Sequence, residues 1–163
     1  CVSNKSAVER WKPPALSDAE AGYIAGLIDG EGSISLLNGR WLQLRIYNSH
    51  LGMLNWVKAT VGGIVCRGKT PPSAKHKQGY FWVLSMRRAV PFLGIVLRYL
   101  IIKRRHAEIA VAFYERIWRA KDEARDDGRS VGSTANDHVA LELHAELKSL
   151  NRRGPRPDLD PSP

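Results

Sequence analysis

The chain has 163 residues and a formal charge of +9, from 25 Lys and Arg against 16 Asp and Glu. At 44% hydrophobic and 25% charged it has the composition of an ordinary globular protein, and its length suits one domain better than two large ones. These values exclude disorder as the main state and allow a real core. The longest apolar stretch, 89–102, contains Arg98 and is too short to span a bilayer, which takes about 20 residues. There is no signal-peptide run at the N-terminus. Two cysteines, Cys1 and Cys66, provide neither a disulfide framework nor thiolate metal spacing, so a reducing compartment is the simpler expectation. The first residue is Cys1 and not Met, so the native start is expected elsewhere.

The charge is unevenly placed. Every Asp and Glu lies in 1–31 or 108–163, and the block 32–107 holds thirteen Lys and Arg with no acid. A block of one sign repels itself unless a polyanion neutralises it, which favours nucleic acid as partner.

In chain order, 1–16 reads as an N-terminal arm ending in Pro13-Pro14. Ser17 and Glu20 form a capping box that starts a helix over about 17–30. Strands near 33–37 and 41–48 follow, joined at Asn38-Gly39. The second alternates, with Leu42, Leu44 and Ile46 on one face and Gln43, Arg45 and Tyr47 on the other. A helix over 50–60 stops at Gly62-Gly63. Strands near 64–69 and 79–86 flank a long basic loop at 70–78. Helices are expected over 88–100, with Pro91 in its first turn, over 103–124 and over 136–150. A turn falls at 126–133, and 151–163 is a Pro-rich tail. The order α-β-β-α-β-β-α makes an α+β domain over 17–150, with extra C-terminal helices and one antiparallel sheet covered on one face. The other face, with Gln43, Arg45, Tyr47, Arg67 and Lys69, is left open for a DNA groove.

The most informative stretch is Ile24-Ala25-Gly26-Leu27-Ile28-Asp29-Gly30-Glu31-Gly32. Gly22, Gly26 and Gly30 share one helix face, and each costs about 1 kcal/mol against alanine. Close approach of a second helix is a reason to keep all three. Asp29 and Glu31 end the helix, where acids oppose its dipole. Broken local rules point to a functional site, and a carboxylate there can hold a divalent cation.

This stretch resembles the signature of the LAGLIDADG homing endonucleases. The flanks agree: Ser33-Ile34-Ser35, a hairpin ending in Asn48, and a helix ending in Gly62-Gly63. The resemblance covers roughly 16–120. It implies the family's fold, with the open sheet forming a DNA-binding saddle. It also implies a metal-dependent double-strand break in a long DNA target, leaving 3′ overhangs. One signature occurs, so the likeness is to the homodimeric branch, which builds its site from two chains and reads a roughly palindromic target. An intron-encoded origin fits, in a prokaryote or an organelle; the excess of Arg over Lys hints at GC-rich coding.

By resemblance, Glu31 is the metal-binding acid, in a position more often Asp, and Gly30 supplies a backbone oxygen for Mg²⁺ or Mn²⁺. Gly22, Gly26 and Asp29 belong to the helix–helix dimer interface. Asn48 matches the residue that positions catalytic water, although a turn or cap role suits it too. Lys103 matches the lysine near the catalytic centre; Arg104 and Arg105 carry the same charge, so the match can slip by one, and phosphate contact is its alternative. The DNA readers are Arg40, Gln43, Arg45, Arg67 and Lys69 from the strands, and Lys75, Lys77 and Gln78 from the loop. No arrangement of the histidines suits a metal.

The family also contains RNA-binding intron maturases and regulators that do not cut. Those often lose the acid that Glu31 retains, which favours the endonuclease. A basic binding module outside the family leaves the three glycines and the terminal acids unexplained.

Overall fold

In a computed structural model of the chain, residues 11–38, 41–69, 77–119 and 137–152 are described. The elements are α1 (Asp18–Glu31), β1 (Gly32–Leu37), β2 (Trp41–Asn48), α2 (Leu51–Val61), β3 (Ile64–Arg67), β4 (Tyr80–Ser85), α3 (Met86–Val96), α4 (Arg104–Tyr114) and α5 (His138–Leu150). A 3₁₀ turn, Leu97–Tyr99, follows α3, and a π turn, Glu115–Arg119, extends α4.

The capping box forms as the sequence requires. The Glu20 N–H donates to Ser17 Oγ at 3.3 Å, and the Ser17 N–H donates to Glu20 Oε2 at 2.9 Å. The first of these satisfies a donor that the opening turn of a helix would otherwise leave without a partner. His50 caps α2, its Nδ1 accepting from the Met53 N–H at 3.0 Å. Gly62 and Gly63 then end the helix with φ of 84° and 85°. At Gly63 a side chain would also meet the Val83 carbonyl at 2.6 Å and Trp82 Nε1 at 2.8 Å. That tight turn lets the buried Trp82 donate to the Gly62 carbonyl at 2.7 Å.

The sheet is antiparallel with strand order β1-β2-β4-β3. Leu42, Leu44 and Ile46 of β2 meet Ile34 and Leu36 of β1 and Trp82 and Leu84 of β4 on the covered face. Ile24, Ala25 and Ile28 of α1, Leu54, Val57 and Val61 of α2, Phe92, Leu93 and Val96 of α3, and Ala107, Ile109, Ala110 and Phe113 of α4 complete one core. Burial of these side chains, worth roughly 1.5–3 kcal/mol for each large one, selects this face. The α+β class, the element order and the second strand's alternation are as the sequence predicts.

Several boundaries differ. Residues 11–16 are not a free arm, because Trp11 and Leu16 pack on the core. The helix expected over 88–100 is α3, which starts at Met86 and gives way to the 3₁₀ turn. Pro91 therefore sits inside the helix, beyond the first turn, where its missing N–H leaves one intrahelical bond unmade. Residue 151 is not tail: Asn151 Nδ2 donates to the Ile34 carbonyl at 2.9 Å and covers the outer edge of β1. Asp137 caps α5, accepting from the Ala140 N–H at 3.1 Å, and Arg116 Nε donates to its other oxygen at 2.7 Å. The Ala140 bond, helped by Arg116, holds the Asp137 carboxyl below its usual range. The turn expected at 126–133 and the end of the helix expected over 103–124 lie outside the described residues.

Candidate functional site

α1 runs directly into β1, and β2 and β3 run back toward that junction. Gly32 pairs with Ile46, Asn48 with Tyr80, and Tyr80 with Arg67. Glu31 and Asn48 therefore lie at one end of the sheet. Gly32 is fixed there: its N–H donates to the Ile28 carbonyl, and a Cβ on it would come within 2.5 Å of that oxygen. Only glycine turns from the helix into the strand so tightly.

The two acids at the end of α1 have different surroundings. Asp29 is half-buried, and its oxygens accept from the Ile101 N–H at 2.7 Å and the Lys103 N–H at 2.8 Å. Lys103 Nζ in turn donates to the Asp29 carbonyl. At the other end of α1, Asp18 Oδ1 accepts from Arg98 at 2.7 Å and from the Tyr99 hydroxyl at 2.6 Å. The Asp18 bond raises the Tyr99 pKa above the usual phenol range. The segment 98–103 is thus strapped along α1 at both ends. Asp29 is compensated by two amides and a lysine, whereas Glu31 is exposed and engages no side chain among the described residues.

The three basic residues bond to different places. Lys103 alone reaches the end of α1. Arg104 donates to the Leu100 carbonyl at 3.2 Å and the Arg98 carbonyl at 3.1 Å, and Arg105 to Glu146 at 2.8 Å. His106, on the next turn, is half-buried. Burial above all pushes its pKa below the ordinary histidine value; the Leu150 backbone opposes this, and the Lys103 charge adds a smaller lowering effect. Asn48 takes a turn role: its Oδ1 accepts from the His50 N–H at 2.9 Å.

α1 buries Ala21, Ile24, Ala25 and Ile28. Its opposite face carries Ala19, Gly22, Gly26 and Gly30, flanked by Tyr23. A Cβ added at Gly26 or Gly30 would meet nothing within 4 Å, and at Gly22 only Tyr99 at 3.9 Å. Among the described residues of one chain, therefore, no neighbour requires glycine at these positions. Beside them Tyr23 packs edge-on against Trp56, with ring centroids 5.4 Å apart, and both rings remain exposed.

The sheet face away from the helices is open, and strand pairing orders it in rows. Ser33, Arg45, Val83 and Ile64 form one row; Ser35, Gln43 and Ser85 form a second; Tyr47, Phe81 and Cys66 form a third. The Arg45 guanidinium lies over the Phe81 ring, 4.7 Å from its centroid. Arg45 Nε and Gln43 Oε1 are shielded from solvent and have no hydrogen-bond partner among the described residues. Such atoms are costly unless a ligand satisfies them.

Two expected readers stand elsewhere. Arg67 does not share this face. It pairs with Tyr80 on the side of Val65 and Trp82, because β3 carries Ile64 and Cys66 outward. Lys69 is exposed beyond the strand end. Gln78 is engaged internally. Its Nε2 donates to the carbonyls of Gly68, Lys69 and Gly79 at 3.2, 3.3 and 2.8 Å, and its Oε1 accepts from Arg67 Nε at 3.0 Å. This clamp joins the ends of β3 and β4. Tyr47 lies across it, where a Cβ on Gly79 would overlap the tyrosine hydroxyl. The sequence gives no sign of the clamp, because a loop glutamine is equally suited to reaching outward. Lys77 is exposed, while Arg40 and Lys75 lie outside the described residues.

Among the described residues no three His, Cys, Asp or Glu side chains gather as a metal site; at this end Asp29 is held by two backbone amides and Glu31 is exposed. A groove of about 400 Å³ lies between the far half of β1 and α5, lined in part by Leu36, Leu147 and Asn151, away from Glu31.

A single antiparallel saddle behind a glycine-faced helix that ends in an acid is the architecture of the LAGLIDADG homing endonuclease fold. The chain is similar to the homing endonuclease I-CvuI in complex with the I-CreI target, at 16% identity, a TM-score of 0.59 and 85% coverage of each chain. I-CvuI bound to its own target gives 15% identity and a TM-score of 0.55, with the same coverage. The archaeal intron-encoded homing endonuclease I-Vdi141I, complexed with DNA, gives 20% identity and a TM-score of 0.62, covering 86% of this chain and 89% of that one. No family model and no curated protein matches the sequence.

Proposed function

We propose that this chain is a site-specific DNA endonuclease that acts as a homodimer and hydrolyses one phosphodiester bond in each strand of a long, roughly palindromic target. The observation that carries this reading is the end of α1. An exposed acid, Glu31, which engages no side chain among the described residues, stands there, a lysine is bonded to Asp29 at the same helix end, and the helix's outer face is glycine. The three solved neighbours are homing endonucleases crystallised with DNA targets, one described in the presence of Mg and one of Ca.

In the dimer, the outer faces of the two α1 helices pack together and bring two Glu31 carboxylates to one base. The donor set there suits a hard cation: an exposed carboxylate, and the Gly30 carbonyl in the last turn of a helix. Glu31 and Gly30 would hold Mg²⁺ or Mn²⁺. Such an ion, when bound, activates water and neutralises charge on the scissile phosphate. The bond from the His50 N–H fixes the Asn48 amide plane, so Asn48 Nδ2 is the group that orients water. Lys103, held by Asp29, opposes charge that develops on the phosphate. The open rows supply recognition through Gln43 and Arg45, with Lys69, Lys77, Arg40 and Lys75 as phosphate or base contacts. Phosphate contacts from this basic, acid-free block provide affinity through counterion release. Arg67 and Gln78 hold the strand ends in place.

The test is cleavage of a selected DNA site by wild type and by Glu31→Gln, with Mg²⁺ and with EDTA. Cutting by the wild type with Mg²⁺ alone supports the proposal. Binding without cutting would return the chain to the regulator reading, or, if RNA is preferred, to the maturase reading.

A further inference from the structure

The open sheet face is divided. Its β1–β2 half carries Ser33, Ser35, Gln43 and Arg45. Its β3–β4 half carries Ile64, Cys66, Phe81 and Val83, with Ser85 at the end of β4 as its polar member. Ile64 is 49% exposed, Cys66 and Phe81 are partly exposed, and Val83 is covered by its neighbours. A solvated antiparallel face ordinarily presents polar side chains. Here most of one half does not, and all the core-forming helices lie on the other side.

We propose that this β3–β4 half reads thymine 5-methyl groups in the major groove of the target, and so fixes T-bearing base pairs in each half-site. The inference rests on the endonuclease reading for its partner. The occupant follows from charge and continuity. The strip lies in the acid-free block 32–107 and shares a row with Arg45, with Gln43 in the adjacent row; the shielded Arg45 Nε and Gln43 Oε1 have no hydrogen-bond partner among the described residues. Polar atoms line the edges of every base pair in the major groove, and the thymine methyl is the one apolar group there. An apolar strip beside two hydrogen-bonding readers matches a step with a methyl beside a polar edge. Double-stranded RNA offers neither the methyl nor an accessible major groove.

The test uses the full chain and its selected DNA site without divalent ions, so that binding alone is read. Each thymine is replaced in turn by deoxyuridine, which removes only the methyl. Removing a buried methyl should weaken binding about fourfold, the factor that about 0.8 kcal/mol represents. This loss is expected at a small set of positions in each half-site and nowhere else. Ile64→Ala, with its fold checked by circular dichroism, should abolish the loss at one of those positions and leave responses elsewhere unchanged. Tight DNA binding that is indifferent to deoxyuridine everywhere would overturn the inference and leave the endonuclease reading intact. Sensitivity that Ile64→Ala does not alter would overturn the assignment to this strip. An Ile64→Ala effect on self-association without DNA would show that a second copy covers the strip. Failure to bind any DNA site would overturn the functional reading itself.

Discussion

Gly26→Ala is expected to act in opposite directions on the single chain and on the dimer. Gly26 is mid-helix in α1, and a Cβ there meets nothing within 4 Å. In an isolated chain the substitution should raise stability by about 1 kcal/mol, the helix-propensity difference between glycine and alanine. If a second α1 packs on this face, the same methyl enters a close helix contact. Overpacking costs roughly 1–3 kcal/mol per site, and two-fold symmetry places a copy of the methyl on each side. The dimer should then lose roughly 2–6 kcal/mol, which weakens association at least ~30-fold. Sedimentation across a concentration series reads the association, and urea unfolding below the dissociation constant reads the chain. A variant that stabilises the monomer and weakens the dimer is expected. An unchanged dissociation constant, or a wild type monomeric both free and on DNA, would refute the packing of glycine faces.

Lys103→Met should lower cleavage by one to two orders of magnitude with little change in DNA affinity, while Arg104→Met leaves cleavage within about threefold, because Arg104 bonds carbonyls away from α1. Asp29→Ala removes the acceptor of two backbone amides and should cost about 2–3 kcal/mol in urea unfolding, with a parallel loss of cleavage. Gln78→Ala should lower the melting temperature by several degrees and Gly79→Ala by more; Tyr47→Ala should offset part of the Gly79→Ala loss, since the tyrosine is the obstacle there. His106 has a lowered pKa in the folded chain, so the unfolded chain binds the proton more readily. Its contribution is complete above the unfolded value near 6.5 and is lost as pH falls through that value toward the folded one. His106→Gln should flatten this part of the stability profile, as followed by thermal melts between pH 5 and pH 8.

Features set by neighbouring residues were legible in the sequence. The capping box at Ser17 and Glu20, the alternation of 41–48 and the Gly62-Gly63 stop all depend on contacts within a few residues. What depends on partners far along the chain was not. Arg67 was expected on the open face from strand parity. However, β3 is apolar on both faces, and its register is fixed by a turn beneath Trp82. Pro91 was expected near a helix start, yet the preceding strand ends early enough for α3 to begin two residues sooner. Gln78 offers the same amide to a base or to three carbonyls, and only the folded strand ends choose between them. Asp29 was read as an interface residue; its carboxylate is tied instead to a segment more than seventy positions away. That tie explains why the helix tolerates an acid at its end, and it leaves Glu31 as the acid without an internal explanation.

The most direct test is a selection for cleaved sites in a randomised DNA library with Mg²⁺, run in parallel with wild type and Glu31→Gln. Recovery of a long, near-palindromic site cut by the wild type alone is the expected result, and it would join the enzyme class, the dimer and the role of Glu31. An equal yield of cut sites from Glu31→Gln, or a recovered site without two-fold symmetry, would contradict it.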